Sequence, residues 1–372
     1  MTFVRTKLAL ERLAVGEILR IRLRDGEPRR NVPQAVRDHG HEIISLSPVA
    51  DDLYELTIRK RRFGAKPGVR PVGVSNLLEL PIESTADDTL HLRPLGAGGM
   101  GTVYRARHAM LRRPTAVKLL DSERMNEGAI ARFEREVQLT SSLTHPNTVA
   151  VFDYGRTPEG VFYYAMEYLE GLNLEELVKR FGPLPDARVV YILKQVCGAL
   201  AEAHTAGLVH RDIKPANIFL TSRGGMYDFV KVLDFGLVKA FSSADEAGLT
   251  NPNSVTGTPY YMSPELVNSP DKVDPRTDVY ALSAVAYFLL TGTPVFNGNS
   301  VLEICMKHVG ETPQPPSQRA GHAVSPDLEK LIMVCLSKSP NDRPATASEL
   351  LKLLENCPVS GSWTGSDAAA WW

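Results

Sequence analysis

One segment constrains this chain more than any other: His210-Arg211-Asp212-Ile213-Lys214-Pro215-Ala216-Asn217, followed 17 residues beyond Asn217 by Asp234-Phe235-Gly236. Asp212 is placed to accept a proton from an attacking hydroxyl. Lys214 can neutralise a phosphoryl group in transfer, and Asn217 offers an oxygen to a metal. The Asp234 carboxylate is a hard oxygen ligand suited to Mg²⁺. Each piece alone has a bland counterpart, since Asp-Phe-Gly occurs in ordinary turns. In this order and at this spacing, chance is implausible.

Upstream, Leu95-Gly96-Ala97-Gly98-Gly99-Met100-Gly101-Thr102-Val103-Tyr104 reads G-x-G-x-x-G-x-V. Glycines let the backbone turn sharply and bring its amides close to phosphate oxygens. A dinucleotide-binding fingerprint needs a helix after the glycines. Here Thr102–Ala106 continues as a strand, so the segment reads as a hairpin folded over a ligand. Thr115-Ala116-Val117-Lys118 follows at the distance of a neighbouring strand. Lys118 either points to solvent or supplies a cation for phosphates, fixed by a carboxylate. Glu136 is the candidate partner. Glu134 is the runner-up and faces another side of the helix expected near Ala129–Leu143.

The 372 residues carry a formal charge of −1, with 43% hydrophobic and 23% charged residues. This composition excludes wholesale disorder, a collagen-like repeat and a disulfide-dense scaffold. It also lacks the basic excess of a dedicated nucleic-acid binder. The charge is uneven: residues 1–75 hold 15 Lys+Arg against 9 Asp+Glu, and residues 76–372 hold 27 against 34. That reads as two modules, either attracting each other or simply presenting two solvated surfaces. Cys197, Cys305, Cys335 and Cys357 form no C-x-x-C pair and read as reduced thiols of a cytoplasmic protein. The N-terminus has no signal-peptide core. The most apolar stretch, Val279–Leu290, is 12 residues long, short of the ~20 a membrane span needs. It reads as the buried helix of a large domain.

Four regions follow from this pattern. Residues 1–62 read as a small module with helices over Thr6–Leu13 and Val32–His39. Its strands are expected at Glu17–Arg24, Ile43–Leu46 and Leu53–Ile58. Residues 63–88, with Gly64, Pro67, Gly68, Pro71 and Gly73, read as a linker. The basic run Arg59–Arg62 before it could meet phosphate, or be a solvated strand end. Residues 89–355 form one large domain, strand-rich to about Met166 and helical beyond. Residues 356–372 are a tail with Trp363, Trp371 and Trp372, which should dock on the large domain or on a partner. Ser366 is the expected cap of a short helix there.

Residues 89–355 resemble a eukaryotic-like (Hanks-type) serine/threonine protein kinase of the kind found in bacteria. The Gly-rich loop, strand Lys, helix Glu, H-R-D-x-x-x-x-N and D-F-G match that signature set in order. The resemblance implies an α+β bilobal protein-kinase fold, a strand-rich N-lobe and a helical C-lobe with ATP between them. Gly96, Gly98 and Gly101 would cover the phosphates. Lys118 would hold them and pair with Glu136. Asp212 would take the substrate proton beside Lys214, and Asn217 and Asp234 would hold Mg²⁺. Leu95, Val103, Ala116 and Phe219 would line the adenine site. Met166 would sit at its back, and Glu167-Tyr168-Leu169 would connect the lobes. Lys214 and Thr258 favour Ser/Thr over Tyr as acceptor in protein substrates. Ser263-Pro264-Glu265 stands where the family reads A-P-E. Glu265 would tie to Arg343, and Asp278 would brace the catalytic loop. Arg211 would meet an activation-loop phosphate, with Thr250, Ser254 and Thr256 as autophosphorylation candidates, a transient homodimer being the partner for that step. A loop merely rich in small polar residues is the alternative.

Residues 1–60 resemble a TusA-type sulfur-carrier domain, through Thr2–Glu11, the Gly16-Glu17 strand and Val36–Glu42. This implies a small two-layer α/β sandwich ahead of the kinase. That family carries persulfide on the Cys of a Cys-Pro motif, and here no Cys precedes Cys197. The first strand of that fold is also missing, which would leave a sheet edge open. Either the start codon lies upstream of Met1 or the carrier chemistry is lost. Beside an active kinase two further readings stand. One is a pseudokinase scaffold. The other is a kinase-regulated sulfur carrier, which requires an upstream Cys.

Overall fold

The computed structural model describes residues 17–24, 32–33, 36, 41–50, 53–59, 78–79, 94–98, 101–108, 113–120, 135–156, 161–235 and 259–372. The chain divides into two compact units, Met1–Val72 and Gly73–Trp372. In the first, β1 (Ile18–Arg24), β2 (Glu42–Ala50) and β3 (Leu53–Arg59) form an antiparallel sheet of order β1-β3-β2. Alternation in β1 sends Ile21 and Leu23 to one face, where they meet Leu56 and Ile58 of β3. Val32 and Val36, four apart and therefore on one helical face, close this core. Burying each such aliphatic side chain contributes roughly 1.5–3 kcal/mol. Residues 32, 33 and 36 are the described part of the helix expected over Val32–His39. The helix expected over Thr6–Leu13 lies outside the described residues. The edge strand β2 carries Pro48 and two register shifts, both of which discourage pairing with another chain.

In the second unit, β4 (Leu78–Glu79), β5 (Pro94–Gly98), β6 (Gly101–His108), β7 (Pro114–Leu120), β8 (Val151–Arg156) and β9 (Phe162–Glu167) form one antiparallel sheet. The order is β4-β6-β7-β9-β8, with β5 also on β6. Leu78 and Glu79 fall inside the stretch expected to be linker. They pair with His108 and Arg107, occupying backbone groups at the far end of β6. A helix, α1, covers 135–141.

The rest is helical around a large apolar core. Strand β10 (Gly171–Asn173) leads to α2 (Leu174–Phe181), which Asn173 caps by accepting from the Glu176 amide at 2.8 Å. Then come α3 (Asp186–Thr205), β11 (Ile218–Arg223), β12 (Met226–Val232), α4 (Pro264–Asn268) and α5 (Arg276–Thr291). Helix α5 contains the apolar stretch Val279–Leu290 and is buried almost all round, as expected of a core helix. It stops at Gly292 in the left-handed region, φ 72°. Helices α6 (Val301–Gly310), α7 (Pro316–Ala320), α8 (Pro326–Cys335) and α9 (Ala347–Glu355) complete this part. No described helix is long and apolar enough to cross a membrane. All four cysteines are buried and unpaired.

The tail docks on this unit. Helix α10 (Gly365–Trp371) is capped by Thr364 and not by Ser366. Thr364 and Asp367 form a reciprocal capping box, which Ser366 is two residues too late to make. Beneath it lies a buried ion pair, Arg188 on α3 with Asp228 on β12, bonded at 2.9 and 2.8 Å. The Trp363 and Trp372 indoles donate to the two Asp228 oxygens at 3.0 and 2.8 Å. The Trp371 ring lies 3.9 Å from the Arg188 guanidinium carbon.

Candidate active site

The loop between α3 and β11 is fastened from below. Asp278, buried on α5, accepts from the amides of His210 and Arg211 at 2.8 Å each and from His204 Nε2 at 2.8 Å. Burial alone would raise its carboxyl. The hydrogen bond and charge of His204, with the loop amides, hold it below the usual carboxylate range. This brace lets Arg211 keep a left-handed backbone, φ 66°. His210 Nε2 bonds the Leu233 carbonyl at 2.8 Å, and its ring packs 4.6 Å from the fully buried Phe235. The loop and the Asp234 segment are therefore tied together by a hydrogen bond and a ring contact.

Above this base, Lys214 Nζ reaches Asp212 Oδ2 at 2.7 Å. Asn217 Nδ2 donates to the same oxygen at 2.9 Å and to the Asp212 carbonyl at 2.8 Å. With its nitrogen so committed, Asn217 keeps its amide oxygen for another ligand. The Leu233 amide in turn donates to the Asn217 carbonyl at 2.9 Å, tying the loop to the approach to Asp234.

Asp234 is also left-handed, φ 57°. Lys118 Nζ closes on its Oδ2 at 2.7 Å, and the Tyr164 hydroxyl donates to Oδ1. Burial would raise the Asp234 carboxyl, but the Lys118 charge and these two hydrogen bonds hold it low. Here the structure corrects the pairing expected from sequence: Lys118 joins Asp234, not Glu136. Asp234 Oδ2 stands 2.7 Å from the Lys118 ammonium, and that contact offsets the desolvation of both groups.

The Gly-rich segment is the expected hairpin, with Gly98 opposite Gly101. Gly101 has φ 143°, and a Cβ there would lie 1.9 Å from the Leu119 carbonyl oxygen, so no other residue fits. Val103, Ala116 and Met166 share one apolar cluster with Leu233 and Tyr168. Phe219 lies on β11, opposite Lys231, and is not part of that cluster. Leu95 is exposed on β5. Glu167, at the end of β9, is held by four contacts. Its carboxylate accepts from the Ala150 amide at 2.9 Å, from Arg223 at 3.1 Å and from buried Lys231, and its own amide donates to the Ala150 carbonyl. Leu169 follows in the connection to β10.

Gly236 and the hydroxyl candidates Thr250, Ser254, Thr256 and Thr258 lie outside the described residues. Glu265 and Arg343 form the expected tie, at 2.7 and 3.0 Å. Tyr164, Lys231 and Leu233 escaped the sequence reading. For Tyr164 a signal existed: it stands two residues before Met166, so β alternation puts both on one face.

A family model described as "Protein kinase domain" matches residues 90–353, and one described as "Sulfurtransferase TusA" matches residues 1–60. The serine/threonine-protein kinase pkn3 of Myxococcus xanthus is 44% identical over 256 residues, covering 68% of this chain and 47% of that protein. Serine/threonine-protein kinase PknB of Mycobacterium leprae is 41% identical over 260 residues, covering 69% of this chain and 40% of that protein. The chain thus spans less than half the length of these curated relatives. Among solved structures, the kinase domain of PknI from M. tuberculosis superposes with a TM-score of 0.55 at 28% identity. That match covers 72% of this chain and 94% of the other.

Proposed function

The chain belongs to the protein kinase family, and on that premise we propose that it transfers the γ-phosphoryl group of ATP to Ser or Thr hydroxyls of protein substrates. The observation that carries this reading is the Asp212 carboxylate. Both of its recorded bonds, from Lys214 and Asn217, fall on Oδ2, and Oδ1 has no bond among the described residues. A carboxylate oriented in this way is suited to receive the proton of an attacking hydroxyl. Lys214, 2.7 Å from it, balances negative charge on the group in transfer. Gly96, Gly98 and Gly101 cover the phosphates, and Lys118 neutralises them. Val103, Ala116 and Met166 supply the apolar wall for adenine, and the braced Glu167 segment supplies its backbone bonds.

The donor set fits Mg²⁺. Asp234 offers a carboxylate and Asn217 an amide oxygen, both hard ligands. Among the described residues no three His, Cys, Asp or Glu gather as a metal cage. Two protein oxygens completed by substrate phosphates is how Mg²⁺ is usually held. When bound there, the cation neutralises phosphate charge.

The segment between Asp234 and Pro259 is the proposed place of autophosphorylation, at Thr250, Ser254 or Thr256. This is supported by Arg211, whose buried Nε has no partner among the described residues. Residues 1–60 contain no Cys, so persulfide transfer is not assigned to them.

The test is intact mass before and after incubation with Mg²⁺ and ATP, beside Asp212→Asn. Phosphate increments on wild type alone are expected, with phosphopeptides mapping to 237–258. Equal increments on Asp212→Asn and Lys118→Ala would remove the assigned roles.

A further inference from the structure

Asp234 has a second buried neighbour that no motif names. The β7–β9 register sets Tyr164 directly opposite Lys118. Both are buried, at 2% and 7% exposure. From these facing positions two donors converge on one carboxylate: Lys118 on Oδ2 and the Tyr164 hydroxyl on Oδ1. The lysine ammonium also lies 5.7 Å from the Tyr164 ring centroid.

The surroundings of Tyr164 are apolar: Ala116, Leu120, Val137, Val149, Phe162 and Met166. A phenylalanine would satisfy that packing. A hydroxyl there carries a desolvation cost that only a hydrogen bond offsets. Its one recorded bond is to Asp234.

We propose that Tyr164 is a positioning residue: its hydroxyl fixes the rotamer of Asp234 and so sets the affinity of the nucleotide site for its divalent cation. The inference deepens the kinase reading and rests on it. Lys118 alone is a poor positioner, because its four-carbon stem is flexible. Tyr164 projects from the middle of a strand with two side-chain torsions, packed on all sides. With one oxygen held by each, the plane of the carboxylate is defined, and its remaining lone pairs have fixed directions. Hydrogen bonds to a ligating carboxylate commonly change metal affinity by about 10–100-fold when removed.

The experiment uses the full chain and a fluorescent, non-hydrolysable ATP analogue. Analogue binding is titrated against Mg²⁺ for wild type, Tyr164→Phe and Tyr164→Met, with melting temperatures alongside. The second variant guards against a folding defect specific to the first. The expected result is a half-saturating Mg²⁺ concentration raised about 10-fold or more in both variants. Analogue affinity at saturating Mg²⁺ should match wild type. Unchanged Mg²⁺ dependence overturns the proposal. So does tighter Mg²⁺ binding, which would make Tyr164 a competitor for Asp234. If wild type itself shows no Mg²⁺-dependent analogue binding, the kinase reading falls and takes this inference with it.

Discussion

Trp363→Phe isolates one hydrogen bond to a buried charge. The Trp363 indole donates to Asp228 Oδ2 at 3.0 Å, and the Asp228–Arg188 pair is 0% and 1% exposed. A bond to a charged acceptor is worth about 1.5–3 kcal/mol. Phenylalanine keeps most of the ring's cover over Arg188, 5.1 Å away, but donates nothing. The variant should therefore lose about 2–3 kcal/mol. A double-mutant cycle with Asp228→Asn separates the bond from packing. Asp228 has φ 51°, a conformation asparagine also adopts, so that change removes charge without straining the backbone. Asp228→Asn leaves Arg188 buried and uncompensated, at about 3–5 kcal/mol. The Trp363 bond then falls to a neutral one, so the coupling energy should be about 1–2 kcal/mol. The assay is urea unfolding of the full chain, following the helical circular dichroism of the larger unit. Additivity within about 0.5 kcal/mol would refute the reasoning.

Arg343→Met strands the Glu265 carboxylate and should cost about 3–5 kcal/mol, read as a lowered melting temperature. An unchanged transition would mean that water replaces the guanidinium. Lys231→Met loosens Glu167 and should raise the KM for ATP about 3–10-fold with kcat little changed. A fall in kcat alone would contradict the assignment of Lys231 to the nucleotide side. His308, with Nδ1 at 2.8 Å from the Tyr280 hydroxyl, is lowered by burial from 6.5 to about 4. Folding thus favours its neutral form. The stability this gives is whole above pH about 6.5 and is lost as pH falls toward 4, because the unfolded chain binds the proton first. At about 1.4 kcal/mol per unit the loss approaches ~3 kcal/mol. His308→Gln should flatten the melting profile over that window, and equal slopes would clear His308.

Much of the site was legible because its chemistry is local. The 210–217 loop, Gly101 and the Asp234 segment each announce themselves within a few residues, and the apolar 279–290 stretch could only be a core helix. Lys118's partner was not legible, because it lies 116 residues away in sequence. Tyr164 shares a strand face with Met166, but an aromatic on a strand reads as core until the register sets it opposite a lysine. The Thr364 cap could have been found, since its spacing to Asp367 makes a box that Ser366 cannot. Leu78–Glu79 had no such signal, since two residues carry no periodicity.

The left-handed backbone at Asp234 has an evolutionary consequence. At φ 57° most side chains would cost roughly 1–2 kcal/mol, and Asp, Asn and Gly are the residues that tolerate it. Of these only Asp is an anion. Glu keeps the charge but strains the backbone, and Asn keeps the backbone but surrenders the charge. Mutational drift at this position therefore has no neutral neighbour to step onto. Selection on geometry and selection on chemistry fence the same residue from opposite sides.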